Sequence, residues 1–503
     1  MIAKVKGYAL IGIDGVPIEV EVDVNNGLPA FDIVGLADTA VKESKERIRS
    51  AIKNSGRAIP ARKITANLAP ASVKKEGSAL DLALALGVLS ATGQLEADLS
   101  EIVFLGELSL DGSLRRINGV LPIMIAASDL GCKKFIIPEG NKIEASFVEG
   151  VEVYPAKSLS AVIDHLSGLT LIEKLESQDY LARKPKNVYD SDLAFIKGQA
   201  TAKRALEVAV SGGHNILFVG APGTGKTMLA KCIPTIMPDM TRQEALETTK
   251  IHSVAGVLKD SDGLVFARPF RTPHHSATAV ALTGGGTHAK PGEISLAHNG
   301  VLFLDEMPEY TRTVLESLRQ PLEDGQITVS RALATITYPA NFMLCGSMNP
   351  CPCGNLGAPD KVCTCSPSQI SKYKSKISGP LLDRIDLQVE VDPVSYTELT
   401  DEQAGESSET VRKRVNRTRL IQKERFKNDG ILTNSDMGER QLRKYCKLSK
   451  ECEEVLKMAY DSLGLSPRAR SRIIKVARTI ADMDLYDEIR KEHLLEAISY
   501  RHN

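Results

Sequence analysis

Hydrophobic and polar residues alternate near the start of the chain. Residues 16–24 place apolar side chains at every second position, with proline and acidic residues between them. This period of two predicts a half-buried strand. Other patterns predict an amphipathic helix at 41–53, a buried helix at 78–89, and strands at 101–110 and 133–138. The sequence therefore indicates a mixed α+β domain at 1–168, followed by a polar, proline-containing linker at 169–190.

The rest of the chain divides by its type of pattern. From 191 to 395, short apolar runs alternate with helical patterns, which is typical of parallel strands covered by helices. From 396 to 503 we find helical patterns without strand signals, for instance at 470–483 and 492–500. The predicted fold class is therefore α/β, with an all-α region at the end.

A glycine-rich loop joins a predicted strand to a predicted helix in the middle region. The strand NILFVG (215–220) leads into GAPGTGKT (220–227), which is the Walker A pattern. Its glycines let backbone N–H groups surround phosphate oxygens, and the helix N-terminus favours negative charge. Lys226 is predicted to neutralise the β- and γ-phosphates of ATP, and the Thr227 hydroxyl to ligate Mg²⁺. The predicted loop comprises Gly220, Ala221, Pro222, Gly223, Thr224, Gly225, Lys226 and Thr227.

Two adjacent carboxylates follow a second apolar strand pattern. The segment VLFLDE (301–306) ends in Asp305 and Glu306, as a Walker B motif requires. Asp305 is expected to hold Mg²⁺ through water, and Glu306 to polarise the attacking water as general base. A glycine-rich turn alone also occurs by chance. Its combination with paired acids after a strand favours nucleotide binding.

Four of the nine cysteines lie close together, at Cys351, Cys353, Cys363 and Cys365. The spacing is C-x-C-x₉-C-x-C, and two close thiol pairs separated by a short loop are able to converge on Zn²⁺. The flanking residues include Pro, Gly, Asn and Asp, which are too polar for a core. We therefore predict a structural zinc site, with an iron–sulfur cluster or free thiols as alternatives.

Composition narrows the classes of partner. Lys+Arg and Asp+Glu both number 63, so the net charge is zero, and a nucleic acid would need a local basic patch. The tract 411–427 carries eight basic residues against one acid. Such a tract is more often a solvated helix than a DNA contact. Because no apolar stretch reaches membrane-spanning length and nine cysteines do not indicate a disulfide scaffold, we expect a cytoplasmic protein with no membrane partner.

The chain resembles the magnesium-chelatase-like AAA+ ATPases, in particular the ComM (YifB) family of bacterial competence-related proteins. The resemblance lies in PGEISLAHNGVLFLDEMPEY (291–310), SMNPCPCGNLG (347–357) and GPLLDRIDL (379–387). It covers essentially the whole chain. It implies an AAA+ ATPase core at 191–395 and a helical lid at 396–503.

The resemblance also assigns catalytic roles. Asn349 matches the sensor-1 residue, which is oriented towards the γ-phosphate and the attacking water. Arg384 matches the arginine finger, which a neighbouring subunit would supply to stabilise charge on the transferred phosphoryl group. Arg468 matches the sensor-2 arginine of the lid, with Arg470 and Arg472 as nearby alternatives. An arginine finger acting in trans implies a ring, most simply a homo-hexamer.

Two further segments resemble pore elements of the replicative minichromosome maintenance helicases. By that resemblance, 267–286 is a helix-2 insertion and 327–339 is the pre-sensor hairpin, with Arg331 near its tip. A basic hairpin tip is suited to grip single-stranded or branched DNA in a central pore. A structural hairpin with a solvated arginine is an equally weighted alternative.

Residues 1–168 resemble the proteolytic domain of the Lon family. Lon proteases need a serine nucleophile and a lysine base. Aligned on Gly77, the serine position is Ala79, with Ser78 one position away, and the lysine position is Leu121. We therefore expect a non-proteolytic domain that serves DNA binding or ring assembly.

The leading functional hypothesis is an ATP-driven DNA motor. By its resemblance to the ComM family, it would drive branch migration when incoming single strands recombine with the chromosome during natural transformation. A second hypothesis is a magnesium-chelatase-like motor subunit that remodels a metal-insertion partner. The Lon-like domain disfavours it, since chelatase motor subunits are expected to resemble only the residues from about 190 onward. A third is an ATP-dependent protease or unfoldase, which Ala79 and Leu121 disfavour.

Overall fold

The computed structural model describes residues 2–180, 189–259, 263–286, 289–331, 334–358, 361–399 and 405–501. In chain order the strands are β1 (Ile2–Ile11), β2 (Asp14–Asn25), β3 (Ala30–Val34), β4 (Lys63–Ala69), β5 (Ile102–Phe104), β6 (Glu107–Leu108), β7 (Leu114–Arg115), β8 (Lys134–Pro138), β9 (Glu152–Ala156), β10 (Ile216–Val219), β11 (Phe270–Arg271), β12 (Gly284–Gly285), β13 (Lys290–Pro291), β14 (Val301–Leu304), β15 (Gln326–Arg331), β16 (Ala334–Pro339), β17 (Met343–Met348) and β18 (Leu387–Glu390).

The α-helices, again in chain order, are α1 (Thr39–Asn54), α2 (Asp81–Ala91), α3 (Val120–Asp129), α4 (Lys142–Ala145), α5 (Leu159–Leu166), α6 (Ala200–Gly212), α7 (Lys226–Lys231), α8 (Ile233–Ile236), α9 (Arg242–Ala255), α10 (Ala279–Thr283), α11 (Glu293–Leu296), α12 (Arg312–Ser317), α13 (Pro321–Asp324), α14 (Pro367–Lys374), α15 (Gly379–Leu382), α16 (Tyr396–Leu399), α17 (Ser408–Arg425), α18 (Glu439–Tyr445), α19 (Lys450–Leu463), α20 (Pro467–Met483) and α21 (Lys491–Ser499). None of these helices is both long and apolar enough to cross a membrane. The chain folds into two compact units, Met1–Pro185 with Arg242–Phe266, and Lys186–Thr241 with Ala267–Asn503.

The first unit contains a seven-stranded sheet in the order β3-β4-β2-β1-β5-β8-β9. Strands β1, β2 and β4 pair antiparallel, while the remaining pairs of the sheet are parallel. Helix α2 is apolar almost throughout and is buried, as the sequence predicts. The prediction of one strand over 101–110 is wrong. The segment forms β5 and β6, which are separated at Gly106, whose φ of +155° is rare for residues with a side chain.

Two segments that the sequence analysis placed elsewhere pack into the first unit. In the predicted linker, the amide N of Leu175 donates to the Val153 carbonyl at 2.8 Å, so this part of the segment docks on β9. Helix α9 lies within the predicted nucleotide-binding core, yet its Ser253 hydroxyl accepts from the amide of Gly119 and donates to Glu144, both at 3.0 Å. Hydrogen bonds of this kind, rather than sequence position, decide where these segments belong.

The second unit contains a five-stranded, wholly parallel sheet in the order β11-β14-β17-β10-β18. Strands β14 and β17 are buried at every residue, which explains their continuous apolar runs. One hydrophobic core joins this sheet to helices α17, α19, α20 and α21. A separate antiparallel hairpin is formed by β15 and β16, as the sequence predicts, and its tip at 332–333 lies outside the described residues.

Helix α17 carries residues 411–425 of the basic tract 411–427. Arg414 forms ion pairs with Glu207 and Glu406, and Arg425 pairs with the buried Asp482. These contacts fix the helix to the rest of the second unit. The prediction of a solvated helix therefore fails for these arginines, which have a packing role.

Candidate functional site

The glycine-rich loop runs from the end of β10 to the start of α7. Gly220 packs closely against the backbone of Val391, since a Cβ at Gly220 would lie 2.4 Å from the Val391 carbonyl oxygen. Gly225 precedes α7 with φ +93°, a left-handed conformation that favours glycine. The loop conformation therefore depends on two of the glycines that define the Walker A pattern.

The Lys226 side chain is hydrogen-bonded to the backbone of this loop. Its Nζ donates to the carbonyl oxygens of Gly220 and Ala221, at 2.7 and 2.8 Å, and lies 3.4 Å from Asn349 Oδ1. Burial lowers the pKa of Lys226, while the negative charges of Asp305 and Glu306 oppose that shift. The amine thus lies among neutral oxygens that a phosphate is able to replace, close to two carboxylates.

Asp305 follows β14 and contacts the loop directly. Its Oδ2 accepts a hydrogen bond from the Thr227 hydroxyl at 3.0 Å, and its Oδ1 accepts from the Ser347 hydroxyl. Glu306 adopts φ +50°, and its amide donates to Ser347 Oγ at 3.1 Å. A non-glycine residue in this region is uncommon and is often found at functional sites. The backbone at the second of the two adjacent acids is therefore constrained.

The sheet topology explains why these residues meet. Strands β10, β14 and β17 are parallel neighbours, with Val219 paired to Met348 and Leu304 to Gly346. The loop after β10, Asp305 after β14 and Asn349 after β17 therefore leave the same edge of the sheet. Ser347, which sequence reasoning missed, is a hydroxyl residue in an otherwise apolar buried strand, and that pattern is the signal that could have identified it.

A cavity of about 600 Å³ adjoins the glycine-rich loop. Its apolar side includes Ile196 and Val394, and Gln199 connects its walls by donating to the carbonyl oxygens of Thr224 and Asp392, at 3.3 and 2.5 Å. The lining residues are Phe195, Ile196, Lys197, Gln199, Ala221, Pro222, Gly223, Thr224, Gly225, Met228, Cys353, Asn355, Ala358, Lys361, Pro393 and Val394. An apolar wall beside a phosphate-type loop suits a nucleoside triphosphate.

The predicted arginine finger and sensor-2 arginine meet at one carboxylate. Arg384 is buried, donates to the Pro380 carbonyl at 2.8 Å and pairs with Glu323. Arg468 is exposed, and its Nη2 lies 3.9 Å from the same Glu323. Neither arginine is among the residues that line the cavity. Sequence reasoning missed Glu323, for which the chain gives no local signal.

The alternative sensor-2 residue Arg472 has a different environment. It pairs with Asp386, which is buried. Although burial opposes ionisation, Arg472 and His214 hold the pKa of Asp386 well below its usual range. Arg472 thus neutralises a buried charge, which leaves Arg468 as the more accessible of the two.

The four clustered cysteines converge as predicted. Their sulfurs all lie within 4.8 Å of one another, and the Sγ–Sγ distances are 3.4 Å for Cys351–Cys353 and 3.7 Å for both Cys351–Cys363 and Cys353–Cys363. Backbone N–H groups of Asn355 and Thr364 lower the pKa of the Cys353 thiol to about 6. Although backbone N–H groups oppose it, burial and the sulfurs of Cys351 and Cys353 raise the pKa of Cys363 and Cys365. This donor set fits Zn²⁺.

The Lon-like positions of the first unit show a different chemistry. The hydroxyl of Ser78 donates to Glu107, and Leu121, which occupies the lysine position, is fully buried in α3. Lys75 is also buried, but its Nζ donates to the Pro70 carbonyl. Ser78 is thus paired with an acid rather than with a lysine base.

Three family profiles match successive parts of the chain. A profile described as "Subunit ChlI of Mg-chelatase" matches residues 20–141, and "Magnesium chelatase, subunit ChlI" matches 192–399. "Magnesium chelatase, subunit ChlI C-terminal" matches 405–501. The first match corrects the expectation that chelatase subunits resemble only the residues from about 190 onward. The first domain therefore does not by itself argue against a chelatase-type function.

Two relatives match along nearly their whole length. The chain is 44% identical over 496 residues to "Uncharacterized protein YifB" of Escherichia coli, which covers 98% of this chain and 96% of that protein. It is 44% identical over 510 residues to "Competence protein ComM" of Haemophilus influenzae, covering 99% and 97%. "Lon protease 2" of Bacillus subtilis is 27% identical over 180 residues, 32% of each chain. The chain therefore belongs to the ComM/YifB family of magnesium-chelatase-like AAA+ ATPases, with a Lon-like region.

Proposed function

We propose that this chain hydrolyses ATP to drive a ring-shaped, cytoplasmic motor along DNA, and that it promotes branch migration during recombination in natural transformation. The observation that carries the ATPase part is the contact of the two motifs, Thr227 with Asp305 at 3.0 Å and Lys226 with Asn349 at 3.4 Å. Near-full-length similarity to a protein named for competence supports the DNA part.

Each residue of the site has a separate role in ATP hydrolysis. Lys226 exchanges its carbonyl partners for the β- and γ-phosphate oxygens, which offsets their charge. Thr227 and Asp305 would hold Mg²⁺, which would supply charge neutralisation. Glu306 accepts the proton of the attacking water. Asn349, 3.4 Å from the Lys226 amine, orients that water beside the γ-phosphate.

Arg384 and Arg468 complete the site from a neighbouring subunit. Both lie at Glu323 and neither lines the cavity of their own chain, as expected if they act on a nucleotide held by another copy. In a homo-hexameric ring each copy would bring these guanidinium groups to the γ-phosphate of the next, where they stabilise the developing charge.

Contact with DNA is assigned to the hairpin of β15 and β16, with Arg331 at the end of β15. One positive side chain per subunit around a pore gives a ring of phosphate contacts. The cysteine cluster is assigned a structural Zn²⁺, because its four sulfurs lie within 4.8 Å of one another. The Lon-like region, in which Ser78 pairs with Glu107, serves assembly or DNA binding rather than proteolysis.

The test uses a synthetic three-strand or four-way DNA junction with purified chain, ATP and Mg²⁺. We expect DNA-stimulated phosphate release and ATP-dependent strand exchange, both lost in Lys226→Ala. If DNA does not change the rate of ATP hydrolysis and no strand exchange occurs, the ATPase hypothesis survives and the DNA-motor hypothesis fails.

A second candidate, a motor subunit for a metal-insertion partner, is favoured by one observation. All three matching family profiles carry the name of a magnesium chelatase subunit. In the same junction assay this candidate predicts ATP hydrolysis without any DNA dependence. Degradation of casein would instead support the protease hypothesis.

A further inference from the structure

The cysteine cluster borders the cavity beside the glycine-rich loop. Cys353, Asn355, Ala358 and Lys361 line that cavity, together with Pro222 and Gly223 of the loop. The metal-type cluster and the nucleotide-type cavity therefore share a wall. A cluster that only braced a distant surface loop would have no such position.

The shared wall is closely packed. A Cβ at Gly354 would lie 2.6 Å from Pro222 Cδ and 2.7 Å from Pro222 Cγ, and Gly354 has φ +78°. A side chain there would displace the proline of the phosphate-binding loop. The backbone between Cys353 and Asn355 is thus pressed directly against the glycine-rich loop, so a change of shape in one is transmitted to the other.

A second contact ties the cluster to the catalytic residues. Cys351, fully buried, lies two residues after Asn349, whose side chain is 3.4 Å from Lys226 Nζ. Burial raises the pKa of Tyr373 in α14 to about 12, and the backbone N–H of Asn349, which lies near that hydroxyl, opposes the shift. Helix α14 follows the last cysteine of the cluster. The residues that follow Asn349 therefore supply the cluster, and Tyr373 lies close to Asn349 again.

The sulfur geometry supports one metal ion. Tetrahedral bonds of about 2.3 Å to Zn²⁺ place the sulfurs about 3.8 Å apart. Three of the Sγ–Sγ distances are 3.4, 3.7 and 3.7 Å. Without a metal, nothing bridges the four sulfurs, and the cluster loses the bonds that hold its two halves together.

We propose that a thiolate-bound Zn²⁺ organises the cysteine segment as a wall of the nucleotide cavity, and that this wall presents Asn355 and Lys361 to the bound nucleotide. The amide of Asn355 supplies hydrogen bonds, and the Lys361 amine supplies a positive charge to the anionic ligand. Metal loading therefore raises the affinity for adenine nucleotide. The inference rests on the nucleotide binding proposed above.

The test measures the binding of a fluorescent ATP analogue to the full chain in Mg²⁺ buffer, with metal content determined by elemental analysis. Zinc-loaded protein is compared with protein stripped by a zinc-selective chelator under reducing conditions. We expect one zinc per chain and about tenfold weaker nucleotide binding after stripping, a change of about 1.4 kcal/mol. Zn²⁺ should restore the affinity, and extra Mg²⁺ should not.

Three variants separate the possible causes. Cys363→Ser, which removes a ligand that does not line the cavity, should lose zinc and weaken nucleotide binding, whereas Cys132→Ser in the first unit should change neither. Lys361→Ala should weaken nucleotide binding several-fold with zinc retained, which a folding defect would not produce. Equal affinity in loaded and stripped protein, or absence of bound zinc, overturns the proposal. If wild-type chain binds no nucleotide in either state, the proposed ATPase function itself fails.

Discussion

Each compact unit of the chain buries a lysine side chain beside backbone carbonyl groups, Lys226 in the second unit and Lys75 in the first. They are 8% and 0% exposed, and burial lowers the pKa of both. Lys226 donates to two loop carbonyls, and Lys75 donates to the carbonyl of Pro70. The two lysines are thus similar in their low exposure and in their hydrogen bonds to backbone carbonyl groups.

The surroundings of the two lysines differ. Lys226 lies between a glycine loop and the carboxylates of Asp305 and Glu306, whose charges oppose the effect of burial on its pKa. For Lys75, burial is the cause of the lowered pKa. A buried lysine therefore indicates a ligand site when its partners are exchangeable and a cavity adjoins the loop that holds it. A buried lysine whose pKa shift has burial as its cause, as at Lys75, indicates packing.

The largest effect is expected from matched substitutions of the two lysines. Lys226→Met should weaken ATP binding about 10²- to 10⁴-fold, because two charge-assisted hydrogen bonds to phosphate, each worth about 1.5–3 kcal/mol, are lost. Lys75→Met should leave affinity unchanged within about twofold, since Pro70 is its partner. Titration with a fluorescent ATP analogue measures both. Equal losses of ATP affinity in the two variants would mean that both substitutions act by disturbing the fold, and that Lys226 has no specific role in ligand binding.

The next largest effect is expected from a substitution that lowers the rate of ATP hydrolysis without changing nucleotide affinity. Glu306→Gln should lower the rate of phosphate release about 10²-fold or more, because the general base is removed while the phosphate contacts of Lys226 stay. Nucleotide affinity should persist. The control Glu107→Gln alters the acid that accepts from Ser78, and it should leave hydrolysis at the wild-type rate. A Glu306→Gln variant that hydrolyses ATP normally would show that another group activates the water.

A third prediction concerns stability in the first unit. Asp81 is buried, and burial raises its pKa to about 6 even though Arg47 Nε donates to it at 2.8 Å. Between about pH 4 and 6 the folded carboxyl keeps a proton that the unfolded one releases, so the free energy of unfolding falls as pH rises through this window. The total fall is at most about 3 kcal/mol.

Urea denaturation of wild type and Asp81→Asn between pH 4 and 7 measures this effect as a difference. Relative to the variant, wild type should lose stability from pH 4 to 6 and then level off, because the Asn side chain does not titrate. A difference that stays constant over this range would show that Asp81 ionises normally in the folded chain.

Sequence reasoning predicted those parts of the site whose residues are adjacent in a motif. Lys226 and Asp305 are far apart along the chain, yet each follows a buried apolar strand. Parallel strands bring such ends to one edge, so their meeting was predictable. Glu323 and the contact of Gly354 with Pro222 depend on tertiary proximity, and no period or spacing signals them. For the same reason the sequence did not assign α9 to the first unit, since that depends on Ser253 meeting Glu144.

The smallest effect, on both proteolysis and stability, is expected from a substitution in the first unit that restores one residue of the Lon protease motif. Ala79→Ser restores the hydroxyl at the Lon nucleophile position, immediately before α2. A serine needs an adjacent base, and the buried Leu121 occupies the position of the lysine. Hydrolysis of casein should therefore stay at background, and the free energy of unfolding should change by less than about 0.5 kcal/mol.

The companion change would be costly rather than neutral. Leu121→Lys would bury an unpaired amine in α3, and an unpaired buried charge is strongly destabilising. The single Ala79→Ser variant is therefore the cleaner test of whether the Lon-like region retains any hydrolytic machinery. Casein degradation by this variant, absent in wild type, would mean that a base outside the expected position serves the serine. The first unit would then be a dormant enzyme rather than a structural domain.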